Sequence, residues 1–234
     1  YKIIINIYLF YNFDKKFTYR KIMNKLSQNI YRKIKLIFDL IFALIFLIIG
    51  SPFLLIIALL IKLSSRGPIF FLQERIGKNK SIFKCIKFRT MHPEAEDIFQ
   101  NLLANNINLK KEFAETHKLK DDPRITNIGK FLRKTSLDEI PQFLNVLKMD
   151  MSIVGPRPVV TPELKKYGKA TTKVLSIRPG ITGLWQVSGR NNLSYKRRVF
   201  LDCQYVKNIN FLLDLRIMIR TFGVIIFPGD RGAY

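Results

Sequence analysis

"LIFDLIFALIFLIIGSPFLLIIALLI", residues 36–61, is the stretch on which the fold turns. It is about 26 residues long, more than the roughly 20 that an α-helix needs to cross a bilayer core. One straight transmembrane helix is the simplest reading, but two features point elsewhere. Gly50-Ser51-Pro52 falls near the middle, and proline removes a backbone donor and kinks a helix. The Ser51 hydroxyl can bond back to a freed carbonyl and relieve part of that cost. The arm before the break is about 15 residues, or roughly 22 Å at helical rise. That falls short of a hydrocarbon core roughly 30 Å thick. Charge is the second feature. Lys25, Arg32, Lys33 and Lys35 precede the run, and Lys62 and Arg66 follow it. Positive residues favour the cytoplasmic side. A helix that enters, bends at Ser51-Pro52 and returns to the same face satisfies both flanks. Asp39 lies within reach of lipid headgroups or of Lys35 at i, i+4.

The whole chain has 234 residues and a formal net charge of +23. This length suits one domain with appendages, and the apolar content is enough for a core. Such charge calls for a polyanionic partner: nucleic acid, an anionic membrane or a phosphorylated substrate. The only cysteines are Cys85 and Cys203 and the only histidines His92 and His117, so a Cys/His zinc site is not indicated. Two reduced thiols are expected. Residues 1–22 show no clean period and do not read as a signal peptide. They are expected to be either non-native or the tail of a longer N-terminal region, with a plausible start at Met23.

Downstream, residues 69–73 and "SIFKCIKFRT" (81–90) read as strands joined by a turn at "GKNK" (77–80). Lys87 and Arg89, two apart, are then expected on one strand face, either as a solvated edge or as a cationic wall for phosphate. Residues 93–116 carry a helical pattern, with Pro93, Glu94, Glu96 and Asp97 suited to its first turn. "DDPRITNIGKFLRK" (121–134) is a turn and a short basic amphipathic helix, of a kind that lies on anionic lipid. Arg157 sits between Pro156 and Pro158, a stiff backbone from which a guanidinium can clamp phosphate. No Walker A or G-x-G-x-x-G pattern is present. Ser194 is placed to cap a helix through about residue 207 that carries Asp202. The apolar segment 211–227 suits a core or an interfacial helix.

"TSLDEIPQF", residues 135–143, sets two carboxylates side by side. Ser136-x-x-Glu139 has capping-box spacing, and Asp138 and Glu139 would then be favourable first-turn charges. Pro141 does not suit a plain helix there. The basic residues Lys87, Arg89, Lys130, Arg133, Lys134 and Arg157 add a second reading. In such a field the pair can hold Mg²⁺ beside phosphates or supply a carboxylate nucleophile.

Taken in order, the apolar run with Ser51-Pro52, "KFRTM" (87–91), "DDPRIT" (121–126), "FLRKTSLDEIPQF" (131–143), "VGPRP" (154–158), "RPGITGLWQVSGRN" (178–191) and the final "RGAY" resemble the bacterial sugar transferases. These are the monotopic phosphoglycosyl transferases that begin surface-glycan assembly. The resemblance runs from about residue 33 to the C-terminus. It implies transfer of a sugar 1-phosphate from a UDP-sugar to undecaprenyl phosphate, with Mg²⁺ and release of UMP, at the cytoplasmic leaflet of the bacterial inner membrane. It implies Asp138 as nucleophile, Glu139 as its metal-holding neighbour, and Arg157 as a phosphate grip. Lys87, Arg89, Arg133 and Arg190 are further phosphate-binding candidates, and Asp202 another active-site position. The metal would rest on Glu139 and Asp138. The extra domains of larger members are not expected in this chain.

The expectation is therefore an α+β, mostly helical protein. Residues 1–32 are a basic extension, 33–66 a re-entrant membrane helix broken at Ser51-Pro52, and 67–234 a small catalytic domain with amphipathic interfacial helices. Its partners are a UDP-sugar, undecaprenyl phosphate and membrane lipid; a homodimer stays open. A basic nucleic-acid binder would account for the charge but not for residues 36–61, and no helix-turn-helix or RNA-recognition signature is present. A membrane scaffold without activity is the third alternative.

Overall fold

The computed structural model describes residues 2–105, 119 and 122–226. The latter part of the expected 93–116 helix and the final "RGAY" lie outside these residues. α1 runs from Lys2 to Ser64. A hairpin follows, β1 (Phe70–Ile76) and β2 (Ile82–Phe88), paired antiparallel with Phe71 opposite Lys87 and Gln73 opposite Cys85. α2 spans Ala95–Asn105, α3 Asn127–Thr135 and α4 Gln142–Leu147. β3 (Ser152–Val154) pairs in parallel with β4 (Gly180–Thr182). α5 (Tyr195–Asn208) and α6 (Phe211–Ile226) follow. The architecture is α+β and mostly helical, as the residue pattern implies.

α1 keeps helical geometry through Gly50-Ser51-Pro52, where a break was expected. The local chemistry explains how. Pro52 has no N–H for the carbonyl of Ile48, its i−4 partner. The Ser51 hydroxyl donates to that carbonyl at 2.8 Å, so the orphan acceptor is satisfied within the helix.

Both arms of the apolar run pack on the same domain. On the N-terminal arm, Ala43 is buried among Phe143, Val146, Ile153 and Val154, and Phe46 stacks on Phe143 with ring centroids 4.3 Å apart. On the C-terminal arm, Ile57 and Ile61 are buried against Phe88 and Leu132. Between these contacts the helix presents a bare apolar face. Ile49 and Leu63 are each 75% exposed, and Ile48, Phe53, Leu55 and Leu59 are exposed with them. Leaving so large an apolar face in water costs about 25 cal/mol per Å², so the face calls for an apolar covering.

A buried polar cluster fixes α1 to the domain. Lys35 pairs with Asp39 at 3.4 Å, as the i, i+4 spacing predicts, and with Asp214 of α6 at 2.8 Å. Asp39 accepts from Ser152 Oγ at 2.6 Å, and Asp214 from the hydroxyls of Tyr31 (2.6 Å) and Tyr205 (2.7 Å). Asp39 therefore lies buried within the protein instead of reaching headgroups.

Candidate active site

Residues 135–143 do not fold as one capped helix. α3 ends at Thr135, and Ser136 takes a left-handed conformation, φ 58°, as its C-cap. Leu137–Glu139 form a single 3₁₀ turn, and Pro141 is the N-cap of α4. Ser136 makes no side-chain cap bond, so the capping box is absent. The reason is Pro141. Its missing N–H is harmless at a helix start and costly in a helix interior, so the second helix begins after the carboxylates. Asp138 and Glu139 are left in the corner between two helices.

Close backbone packing places the groups around that corner. A Cβ at Gly129 would lie 2.0 Å from the Thr90 carbonyl oxygen, so only glycine lets α3 sit against the end of β2. There Arg133 Nε donates to Thr90 Oγ1 at 2.9 Å. Asn145 of α4 reaches the edge of β2, accepting from Ile86 N at 2.9 Å and donating to Lys84 O at 2.8 Å. The Pro-Arg-Pro loop is held on both sides: Gly180 N donates to Pro156 O at 2.8 Å, and Ile76 N to Val159 O at 2.8 Å. A Cβ at Gly180 would lie 2.1 Å from Gly155 N, so this crossing also requires glycine.

The two carboxylates end in different electrostatic states. Lys87 Nζ donates to Glu139 Oε1 at 2.7 Å, and Arg157 Nη1 lies 3.9 Å from the same oxygen. Burial pushes the Glu139 carboxyl up, but the charges of Lys87 and Arg157, the Lys87 hydrogen bond and the charge of Arg75 outweigh it and leave a pKa of about 2. Asp138 is raised to about 6 by burial first and then by the Glu139 charge, with Lys87 and Arg133 opposing. Two adjacent acids held this far apart are what a site needs when one must stay a fixed anion and the other must be basic enough to react.

The remaining candidates divide. Arg190 lies within electrostatic reach of Glu139, in a backbone with φ 49°. Asp202 is 0% exposed, pushed up to about 7 by burial, and accepts from the Tyr167 hydroxyl at 2.9 Å; Arg157 is its cationic neighbour. Arg89 is placed elsewhere. The strand ends at Phe88, and the Arg89 guanidinium turns to the C-terminal end of α1, donating to the carbonyls of Arg66 (2.9 Å) and Ser65 (2.8 Å). A cation there complements the negative end of the helix dipole. Alternation along a strand put it beside Lys87; the end of the strand separates them.

A cleft of about 230 Å³ opens at Glu139, lined among others by Arg75, Lys87, Gln142, Arg157 and Gln186. Arg75, Gln142, Gln186 and the neighbouring Trp185 were not candidates from the sequence. The hairpin register carries a usable signal for Arg75, because Gln73, Arg75, Cys85 and Lys87 share one face. Arg157 of the loop and Arg198 of α5 lie over Trp185, at 5.9 and 4.9 Å from the ring centroid.

Among the described residues no group of three or more His, Cys, Asp or Glu side chains could by itself cage a metal ion. Glu139 meets Lys87 and Arg157 through the single oxygen Oε1, and Gln186 Oε1 in the same cleft is buried without a hydrogen-bond partner. Oxygen ligands of this kind suit Mg²⁺ when substrate phosphates and water complete its shell.

Comparison with known proteins agrees with the geometry. The profile of the family described as "Bacterial sugar transferase" matches residues 30–228. The exopolysaccharide production protein ExoY of Sinorhizobium fredii is 47% identical over 197 residues, covering 84% of this chain and 86% of the relative. The undecaprenyl-phosphate galactose phosphotransferase of Salmonella typhimurium is 43% identical over 223 residues, which is 92% of this chain and 46% of that longer protein. The UDP-galactose-lipid carrier transferase of Erwinia amylovora is 41% identical over 216 residues, 92% of this chain and 45% of the relative. With its paired carboxylates, its cationic cleft and its apolar helix, the chain belongs to the bacterial sugar transferase family.

Proposed function

We propose that this family member is a phosphoglycosyltransferase that moves a sugar 1-phosphate from a UDP-sugar to undecaprenyl phosphate and releases UMP. The observation that carries the reading is the Asp138–Glu139 corner: one carboxylate near pKa 6, its neighbour near 2, in a cationic cleft beside an apolar helix. A carboxylate of pKa 6 is ionised at pH 7 and more basic, hence more nucleophilic, than an unperturbed one. Relatives named for undecaprenyl phosphate and for UDP-galactose support the acceptor and donor classes.

In this reading an Asp138 oxygen attacks the sugar-bearing phosphorus. The bond from that phosphorus to the bridging oxygen breaks, and UMP leaves with that oxygen. Lys87 and Arg157 hold the diphosphate, and Arg133 faces Asp138. Fixed cations aimed at developing charge supply much of the rate in such a site. The phosphate oxygen of the lipid then attacks the same phosphorus and frees Asp138. Kinetics are ping-pong, so the soluble donor departs before the lipid enters. Glu139 and Asp138 would hold a Mg²⁺ ion, which would supply charge neutralisation for the diphosphate.

We further read α1 as re-entrant, with both flanks at the cytoplasmic face of the inner membrane. Both arms of its apolar run pack on one domain, and its bare face between them suits lipid. Two experiments test these readings. Membranes with a UDP-sugar panel and undecaprenyl phosphate are assayed for UMP; full activity in Asp138→Ala would falsify the nucleophile. Cysteines at the two flanks are labelled in intact cells; labelling on opposite sides rules out the re-entrant helix.

A further inference from the structure

The cleft holds a third cation, Arg75, that forms no ion pair among the described residues. Lys87 and Arg157 pair with Glu139, but Arg75 has no carboxylate within ion-pair distance among the described residues. It is half-buried, and burial and then Arg157 disfavour its charge, with Glu163 and Glu139 opposing from beyond ion-pair distance. A partly desolvated cation beside another cation is costly unless an anion joins them.

The guanidinium is nonetheless held firmly. Its Nε and Nη2 donate to Gln73 Oε1 at 3.2 and 2.6 Å, and its Nη1 to Pro158 O at 3.1 Å. A guanidinium has five N–H donors in a planar fork. These bonds leave one N–H on each terminal nitrogen, a pair that matches two oxygens of a phosphate. Pro158 directly follows Arg157, so one loop sets both guanidiniums. Both line the cleft with Lys87 and Glu139.

We propose that Arg75 is a further substrate-binding residue, whose fork grips the diphosphate of the donor opposite Arg157, and that Gln73 is the positioning residue that aims it. This rests on reading the cleft as a diphosphate site. Phosphate is the ligand chemistry because the free donors are paired, planar and cationic.

The test uses the full chain in lipid nanodiscs, with inorganic pyrophosphate and uridine as probes and no divalent ion, so that an effect relayed through a metal at Glu139 is absent. Arg75→Gln is expected to weaken pyrophosphate binding about ten- to a hundredfold, the scale of a charge-assisted pair, and to leave uridine binding unchanged. In turnover the loss is expected mainly in KM for the UDP-sugar. Arg75→Lys, which keeps the charge without the fork, recovers part of the affinity. Gln73→Met leaves Arg75 in place but unaimed, and is expected to weaken pyrophosphate severalfold. Wild-type pyrophosphate affinity in folded Arg75→Gln overturns the assignment. If that variant does not fold, unchanged affinity in Gln73→Met overturns it. Loss of pyrophosphate binding in a protein whose wild type releases no UMP upholds Arg75 and rejects the transferase reading instead.

Discussion

With Asp138 as the proposed nucleophile, the Asp138–Glu139 corner sets the pH dependence of UMP release. Asp138 has its pKa raised to about 6 by burial and by the Glu139 charge, and attack requires the ionised form. Relative to pH 7, about nine-tenths ionised falls to about one-tenth at pH 5, so kcat/KM for UMP release drops roughly tenfold across that interval. An unperturbed aspartate would lose almost nothing there. The perturbation that tests the cause is Lys87→Met. Lys87 is the leading charge holding Asp138 down, and it also donates to Glu139 at 2.7 Å. Its removal raises Asp138 by about one pKa unit, about 1.4 kcal/mol, and moves the acid limb toward pH 7. The absolute rate is expected to fall as well, through loss of the phosphate contact proposed for Lys87. The position of the limb separates the two effects. The assay is UMP release by nanodisc-embedded protein between pH 4.5 and 8.5, with circular dichroism confirming the fold at each pH. An acid limb near pH 4 in the wild type, or a limb that moves down in Lys87→Met, refutes the reasoning.

Three further outcomes are expected. Asp202 is fully buried with its pKa raised to about 7, so the folded state keeps a proton that the unfolded chain releases near 4. Stability therefore falls as pH rises from about 4 to 7, by at most about 4 kcal/mol; Asp202→Asn removes this fall, and thermal unfolding at pH 5 and 8 measures it. Lys35→Met strands Asp39 and Asp214 without their buried cation, and costs about 3–5 kcal/mol of stability in detergent; a change below 1 kcal/mol would show that the cluster is dispensable. Ser51→Ala leaves the Ile48 carbonyl unsatisfied and costs about 1–3 kcal/mol. Adding Pro52→Ala restores an amide donor and should recover that loss, which a double-mutant cycle reads.

Much of the site was legible because its residues lie close together in sequence or within one element. The hairpin, the short basic helix α3, the Ser194-capped α5 and the Asp138–Glu139 pair each follow from local rules of alternation, capping and turn chemistry. Local rules also misled. Ser136-x-x-Glu139 has the spacing of a capping box, yet Pro141 shifts the helix start beyond it. Lys87 and Arg89 have the spacing of one strand face, yet the strand stops between them. Arg75 was passed over because a lone arginine in a strand carries no mark of its partners.

From the sequence alone came the apolar run, its Ser-Pro step, the excess of positive charge and the ordered motifs of the family. Periodicity, composition and residue order are properties of the chain and need no coordinates. The tertiary structure decided which of the many basic residues meet the carboxylates, and that both arms of α1 rest on one domain. It also decided that Asp138 and Glu139, adjacent and chemically alike, differ in acidity. The physical reason is that burial and Coulomb interaction depend on distance through space. Lys87 and Arg157 lie on either side of Glu139 along the chain, and only the packing of β2, the 3₁₀ turn and the Pro-Arg-Pro loop brings all three together.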